Sequence, residues 1–412
     1  MTYSSPIERW WQAGDRNKRV TAVSAVTAIG AVGVLAVYEL VRAGRITSGL
    51  GNEDTSIIWF AAREWMKGHV HQPNYYGQSY GSTLEAIPIG LLHAVHVSYG
   101  TSTAIVLAAI ELTGWAVLAW AAWRRGHRVI ALLALAAPVV GGAYHLVYVT
   151  IELQAPGPRL LVIIASALLI ALPSRLPALV VAVLLFGVGL QFDPASALLA
   201  VPVLAWYALS HPRSRRQLYA IAVGAVVPLG LFVYSKLFYR RHPDFAFHIA
   251  PTPRPGAETL GGSVRHLGEF FQLYAPELWR WWLLPLAALV ALIALLLATR
   301  RAVCMVPAAL VGALVVFAMS TTRARPEWAL GPLLPRGRIL LVLPATMWFL
   351  CFVAAEAGVF VRLRQALSTQ ALIAAIGVVC LISSGLRLVD FNAREGFWQT
   401  KAVTLGQQVL YG

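Results

Sequence analysis

GNEDTSIIWFAAREWMKGHVHQPNYYGQSYGSTLEA, residues 51–86, is the most polar long segment before the middle of an otherwise apolar chain. It opens on two adjacent carboxylates, Glu53 and Asp54, a few residues after the first long apolar run, 20–41, and the arginines Arg42 and Arg45. Ser56 to Lys67 then reads as a helix, and a Tyr- and Gly-rich loop follows. After it comes the apolar run Ile87 to Val97, too short to cross the ~30 Å hydrocarbon core of a bilayer. We therefore expect that run to lie in the outer interface, a choice that fixes the register of every later span.

The composition sets the class. Hydrophobic residues make up 58% of the chain and charged ones 12%, with fourteen Trp and a mean hydropathy of +0.67. Apolar runs near twenty residues recur throughout, which excludes ordinary soluble usage and predicts an all-α polytopic membrane protein. Residues 1–19 are polar and basic, and no small-residue cleavage pattern follows the first run, so that run is expected to be a retained helix. Cys304, Cys351 and Cys380 all lie in apolar runs and read as small buried hydrophobes.

Taken in order, the predicted spans are 20–41, 102–123, 129–149, 159–173, 176–192, 195–210, 217–238, 281–298, 302–319, 338–355 and 369–388, about eleven in all. The first outer loop is then 42–101, a large outer loop covers 239–280, and a short tail covers 389–412. With a cytoplasmic amino terminus, Arg9, Arg124, Arg125, Arg175, Arg215, Arg216, Arg300, Arg301 and Arg362 fall on the inner side, whereas counting 87–97 as a span would turn most of them outward. The expected location is a bacterial plasma membrane with the carboxyl terminus outside. Despite the net charge of +15, no aromatic-basic pattern points to nucleic acid; the expected surroundings are membrane lipids.

The run from Asp54 through AAREWMKGH to NYYGQSYGSTLEA resembles the first extracytoplasmic loop of the GT-C superfamily, particularly bacterial relatives of protein O-mannosyltransferases and of the lipid A aminoarabinose transferase. Aligning Ala62-Arg63 with the family's Ala-Arg step sets Asp54 on its catalytic aspartate. The family often has Glu after that aspartate; here Thr55 follows and Glu53 precedes, which leaves both carboxylates as candidates for the base. QFDPASALLAVP resembles the polar-Pro junction between two middle spans, and LPRGRILLVLPA the late Arg-bearing helix start. The resemblance implies an inverting glycosyltransferase of GT-C-like fold, with a polyprenyl-phosphate-linked monosaccharide as donor and an extracytoplasmic glycan, lipid or protein as acceptor.

The chemistry suits these residue types. A base must take the proton of the acceptor hydroxyl as it attacks the anomeric carbon, while the phosphate departs as a stable anion, so one carboxylate suffices. Asp54 is the expected base, with Glu53 assisting or binding sugar or a cation; the same pair would also suit the N-terminal dipole of the helix that follows. Arg338 and Arg336, with Arg323 and Arg325 in the same outer loop, are candidates to hold the donor phosphate. Tyr75, Tyr76, Gln78 and Tyr80 offer stacking faces and hydrogen-bonding groups for sugar or acceptor, joined by Glu152 and Asp193 at outer span ends. Glu111 falls mid-span and is expected to pair structurally, and Glu85 to cap or orient the interfacial helix. No metal site or cofactor is expected from the His69/His71 pair, a divalent cation staying open. PTPRPGAETLGG, 251–262, is too rich in Pro and Gly for a helix and reads as a mobile loop, whereas VRHLGEFFQLYAPELWRWW reads as amphipathic and interfacial.

Two rival functions use the same residues differently. In a transporter or flippase of a lipid-linked or small anionic substrate, the acids would form an ion relay and the arginines a gate. In a non-catalytic envelope scaffold, Asp54 would be dispensable.

Overall fold

The computed structural model describes residues 53–78, 81–140, 156–211, 214–248, 254–265, 283–322 and 337–360, with the single positions 33 and 37. Helix α1 (Glu53–Met66) leads through β1 (Gly77–Gln78) to the short α2 (Ala86–Ala94). Then come α3 (Tyr99–Arg124), α4 (Arg128–Val140), α5 (Pro156–Ala171), α6 (Leu176–Phe192), α7 (Ala197–Ser210) and α8 (Arg215–Arg241). After β2 (Ala246–His248) and β3 (Arg254–Pro255) follow α9 (Ala257–Arg265), α10 (Leu283–Ala298), α11 (Ala302–Ser320), β4 (Thr321–Thr322) and α12 (Gly337–Glu356). The strands only staple loops, β1 pairing parallel with β2 and β3 antiparallel with β4.

The sequence punctuates these helices plainly. Ser98 accepts the Thr101 N–H to start α3, and Ser214 and Gln217 form a reciprocal capping box at the start of α8. Asp193-Pro194 separates α6 from α7. Among the described residues three helices are long and apolar enough to cross a membrane: α3, α8 and α11. At 1.5 Å per residue the 26 residues of α3 reach about 39 Å. The other predicted spans in the described residues appear as shorter apolar helices, so the described residues show a helical chain with three membrane-capable helices and do not give a count of eleven. Apart from positions 33 and 37, the predicted span 20–41 lies outside the described residues, as do 369–388, 1–19, the 389–412 tail, 266–282 and Cys380. Cys304 is buried and Cys351 partly buried, both as free thiols.

Hydrogen bonds between distant segments mark two ends of the bundle. At the basic end, Arg125 donates from Nε and Nη2 to the two oxygens of Glu356, at 3.1 and 2.8 Å, and His127 Nε2 lies 2.9 Å from Oε1. Burial alone would raise the Glu356 pKa, but those bonds outweigh it and hold the carboxyl at about 2. Arg301 also reaches the Ala357 carbonyl there. The opposite end gathers α1, α2, the start of α5, the α6–α7 junction and the end of α8, where Ser235 donates to Asn74 at 2.7 Å.

Between the ends lies an aliphatic and aromatic core, with Leu118, Val162, Leu199, Phe349 and Phe352 fully enclosed. Small residues set the closest helix approaches. A Cβ at Gly224 would fall 2.6 Å from the Val180 carbonyl oxygen, and one at Gly189 would fall 2.8 Å from that of Pro158. Glycine therefore lets α8 and α5 press against α6. The outer side of α8, including Leu218, Val226, Leu229 and Phe232, is exposed and apolar, which suits hydrocarbon and not water.

One expectation is corrected. Part of 251–262 is helical: Ala257–Arg265 forms α9, and its Ser263 is buried with Oγ 2.8 Å from both the Thr259 and Met319 carbonyl oxygens. Docking on α11 overrides the poor helix propensity of Gly261 and Gly262, about 1 kcal/mol each. Gly256 likewise donates its N–H to the Ser320 carbonyl, tying the segment down.

Glycines in the two places should respond oppositely to alanine. A Cβ at Gly262 meets nothing within 4 Å, so Gly262→Ala should stabilise by roughly 0.5–1 kcal/mol. Gly224→Ala should destabilise by about 1–3 kcal/mol. Thermal unfolding of the detergent-solubilised protein reads both, and equal shifts would contradict this packing.

Candidate functional site

Helix α1 includes Glu53 and Asp54, ahead of the Ser56 start expected from the sequence; their side chains lie outside the described residues. The body of α1 is firmly held. Ile58, Ala61 and Ala62 are fully buried, and Trp59 Nε1 donates to Thr103 Oγ1 at 3.0 Å. Gly90 brings α2 against α1, since a Cβ there would fall 3.0 Å from the Ala62 carbonyl oxygen. The expected short helix after the loop is thus present as α2, packed on α1.

The loop itself divides. Tyr75 is fully enclosed in a cluster with Ile58 and Ala86, so its ring is part of the packing that fixes the loop and offers no open face. Tyr76 packs beside that cluster with its buried hydroxyl lacking a hydrogen-bond partner. Gln72 Nε2 donates to the Tyr75 carbonyl at 2.6 Å. Gln78 pairs its backbone in β1, its side chain outside the described residues, and Tyr80 lies outside them altogether.

The two loop histidines belong to a carboxylate-centred group. His69 Nδ1 and His71 Nε2 both lie 3.4 Å from Glu64 Oε2, while Lys67 Nζ and Arg63 Nε approach Oε1 at 3.0 and 3.3 Å. The Lys67 hydrogen bond is the main cause that holds Glu64 at about 2, with both imidazoles adding to it against burial. Among the described residues no set of three or more His, Cys, Asp or Glu is disposed to hold a metal.

A buried polar cluster lies where this loop meets the bundle. Glu85 makes no cap bond to α2; its Oε1 instead accepts the backbone N–H of Gly157 at the start of α5. The distant partner wins because Pro156-Gly157-Pro158 leaves one free N–H in that turn. Burial lifts the Glu85 pKa to about 7. Asp193, 2% exposed, accepts from Ser196 Oγ at 2.6 Å. Between the acids stands Arg159, 5% exposed, with Nε 3.9 Å from Asp193 Oδ2, and its Nε and Nη2 have no hydrogen-bond partner.

The structure thus brings Asp193 and the α1–α2 loop to one end of the bundle. Arg338 is the second residue of α12, whose side chain there lies outside the described residues; Arg323, Arg325, Arg336 and Glu152 lie wholly outside them. Glu111 is paired as expected, accepting from Trp115 Nε1 at 2.8 Å. Arg159 is the residue that sequence reasoning missed. Its one signal is a guanidinium in the first turn of an apolar run, after a Pro-Gly-Pro turn.

The chemistry available is a guanidinium fork, two buried carboxylates and a helix carrying two acids near its start. Because folding raises the Glu85 pKa from its ordinary 4.5 to about 7, the folded chain holds the extra proton between those values. Stability should fall as pH rises through that window, by up to about 3 kcal/mol. Glu85→Gln should flatten the dependence; an unchanged slope in thermal unfolding from pH 4.5 to 8 would contradict the assignment. Set against protein-family models, curated proteins and solved structures, the chain matches none.

Proposed function

We propose that this chain is an inverting membrane glycosyltransferase of GT-C-like design with about eleven spans, moving a monosaccharide from a polyprenyl phosphate to an extracytoplasmic envelope acceptor. One observation carries the reading: the loop that follows the helix carrying Glu53 and Asp54 is docked, through Glu85 and Gly157, at the bundle end that holds Arg159 and Asp193, and Arg159 shares a cavity wall with Ala345 of α12. The end that bears Arg125, Arg301 and Glu356 then faces the cytoplasm and the end with most of the acids the outside, in a bacterial plasma membrane.

In this reading Asp54 takes the proton of the acceptor hydroxyl while the hydroxyl oxygen bonds to the anomeric carbon. The bond from that carbon to the phosphate oxygen breaks, its electron pair leaves with the phosphate, and configuration inverts. Glu53 assists or binds the sugar, and Arg338, with Arg336, Arg323 and Arg325, holds the phosphate through paired N–H donors. A transporter would need ionisable groups strung across the membrane. Among the described residues the fully buried acids and arginine instead gather at one end, as Glu85, Arg159 and Asp193.

Membranes carrying wild type or Asp54→Asn at matched levels, given radiolabelled polyprenyl-phosphate mannose or arabinose, test this directly. Transfer should fall by roughly 10²–10⁴ in the mutant. Equal transfer in both would move the base to Glu53, and no transfer above empty membranes would count against the enzyme reading for these donors.

A further inference from the structure

We infer that Arg159 anchors a subsite for the hydroxyl groups of a sugar ring, entered from a cavity between α3, α5 and α12. This deepens the glycosyltransferase reading and rests on it for the class of ligand, though its test does not need transfer to occur. The cavity holds about 20 Å³, room for a single water or hydroxyl, and Arg159 forms part of its wall with Glu111, Gly114, Trp115, Leu160 and Ala345.

Three features select the ligand. Arg159 is nineteen-twentieths buried and keeps two N–H positions, Nε and Nη2, without an acceptor, so it needs an oxygen that solvent does not supply freely. Buried acceptors stand nearby: Glu85, on which Arg159 and Asp193 both act, has an Oε2 without a hydrogen-bond partner, and Asp193 lies next to the guanidinium. Finally, Asp193 lies 3.9 Å from the guanidinium and Glu111 shares the cavity wall with it, so a phosphate dianion would meet two carboxylates against one guanidinium. A neutral polyol satisfies both sets at once. Its oxygens accept from Arg159 and its hydroxyl protons go to the carboxylates, one hydroxyl filling the small cavity.

Gly114 supplies a clean probe. A Cβ there meets only Ile163 and Leu160 side-chain carbons at 3.4–3.8 Å, ordinary contact, yet it fills space beside the cavity. Arg159→Lys keeps the charge and removes the planar fork. The purified full chain in detergent is dialysed against radiolabelled methyl α-mannopyranoside, methyl arabinofuranoside or inorganic phosphate. Wild type should bind at least one glycoside, with affinity at least tenfold weaker in Arg159→Lys and in Gly114→Ala at an unchanged thermal midpoint for the latter. Phosphate should not displace it, and any phosphate binding should be unchanged in Arg159→Lys. Absence of glycoside binding, glycoside binding equal in all three proteins, or an Arg159-dependent phosphate site would overturn the subsite. Glycoside binding of the expected pattern without sugar transfer would sink the transferase reading alone, and transfer with unaltered KM in both variants would sink the subsite alone.

Discussion

The carboxylate of Glu85 reaches out of the first loop to accept the backbone N–H of Gly157, and much of the molecule's organisation hangs on that contact. A buried carboxylate is costly unless its oxygens find donors, and the start of α5 supplies one because its flanking prolines carry no N–H. The bond converts a surface loop into a wall of the bundle. It also brings a carboxylate with raised proton affinity next to Arg159, whose charge is offset by Asp193 across the α6–α7 break. Local chain chemistry, a Pro-Gly-Pro turn and an Asp-Pro junction, thereby sets the electrostatics of one end of a helical membrane protein.

The two ends use charge differently. At the basic end, Arg125 and His127 clamp Glu356 in short, well-formed hydrogen bonds, tying the α3–α4 turn to the end of α12. That pairing is complete, and its low carboxyl pKa keeps it charged through ordinary pH. At the other end pairing is incomplete: donors of Arg159 and an oxygen of Glu85 stay unmatched although buried. Structural ion pairs settle their partners; sites that bind something often do not. The contrast within one molecule is what draws attention to the Glu85–Arg159–Asp193 end.

The helical class was legible because apolar runs leave few alternatives in a bilayer, and the run after Ser82 was rightly read as a separate short helix because its length cannot span one. Glu111 was legible as a paired mid-span acid for the same energetic reason. Contacts between distant segments were not. Glu85 looks like a helix cap to any local reading, yet its partner lies 72 residues away. Arg159 looks like an interfacial arginine until its burial in the folded bundle is known. Residues 257–265 look like a Gly-rich loop because propensity counts Gly261 and Gly262, and docking of Ser263 on α11 does not show in composition. The acidic start of α1 was readable as a chemical motif, whereas the enclosure of Tyr75 follows only from the packing of α1, α2 and α3.

The central claim is that the first loop and the start of α5 form one coupled unit around Glu85 and Arg159. A double-mutant cycle of Glu85→Gln and Arg159→Gln, read by thermal unfolding at pH 8 where Glu85 is mostly charged, tests it most directly. The account predicts an interaction energy of about 1 kcal/mol or more between the two sites. Additivity within about 0.5 kcal/mol would mean that the two groups do not act together, and would contradict it.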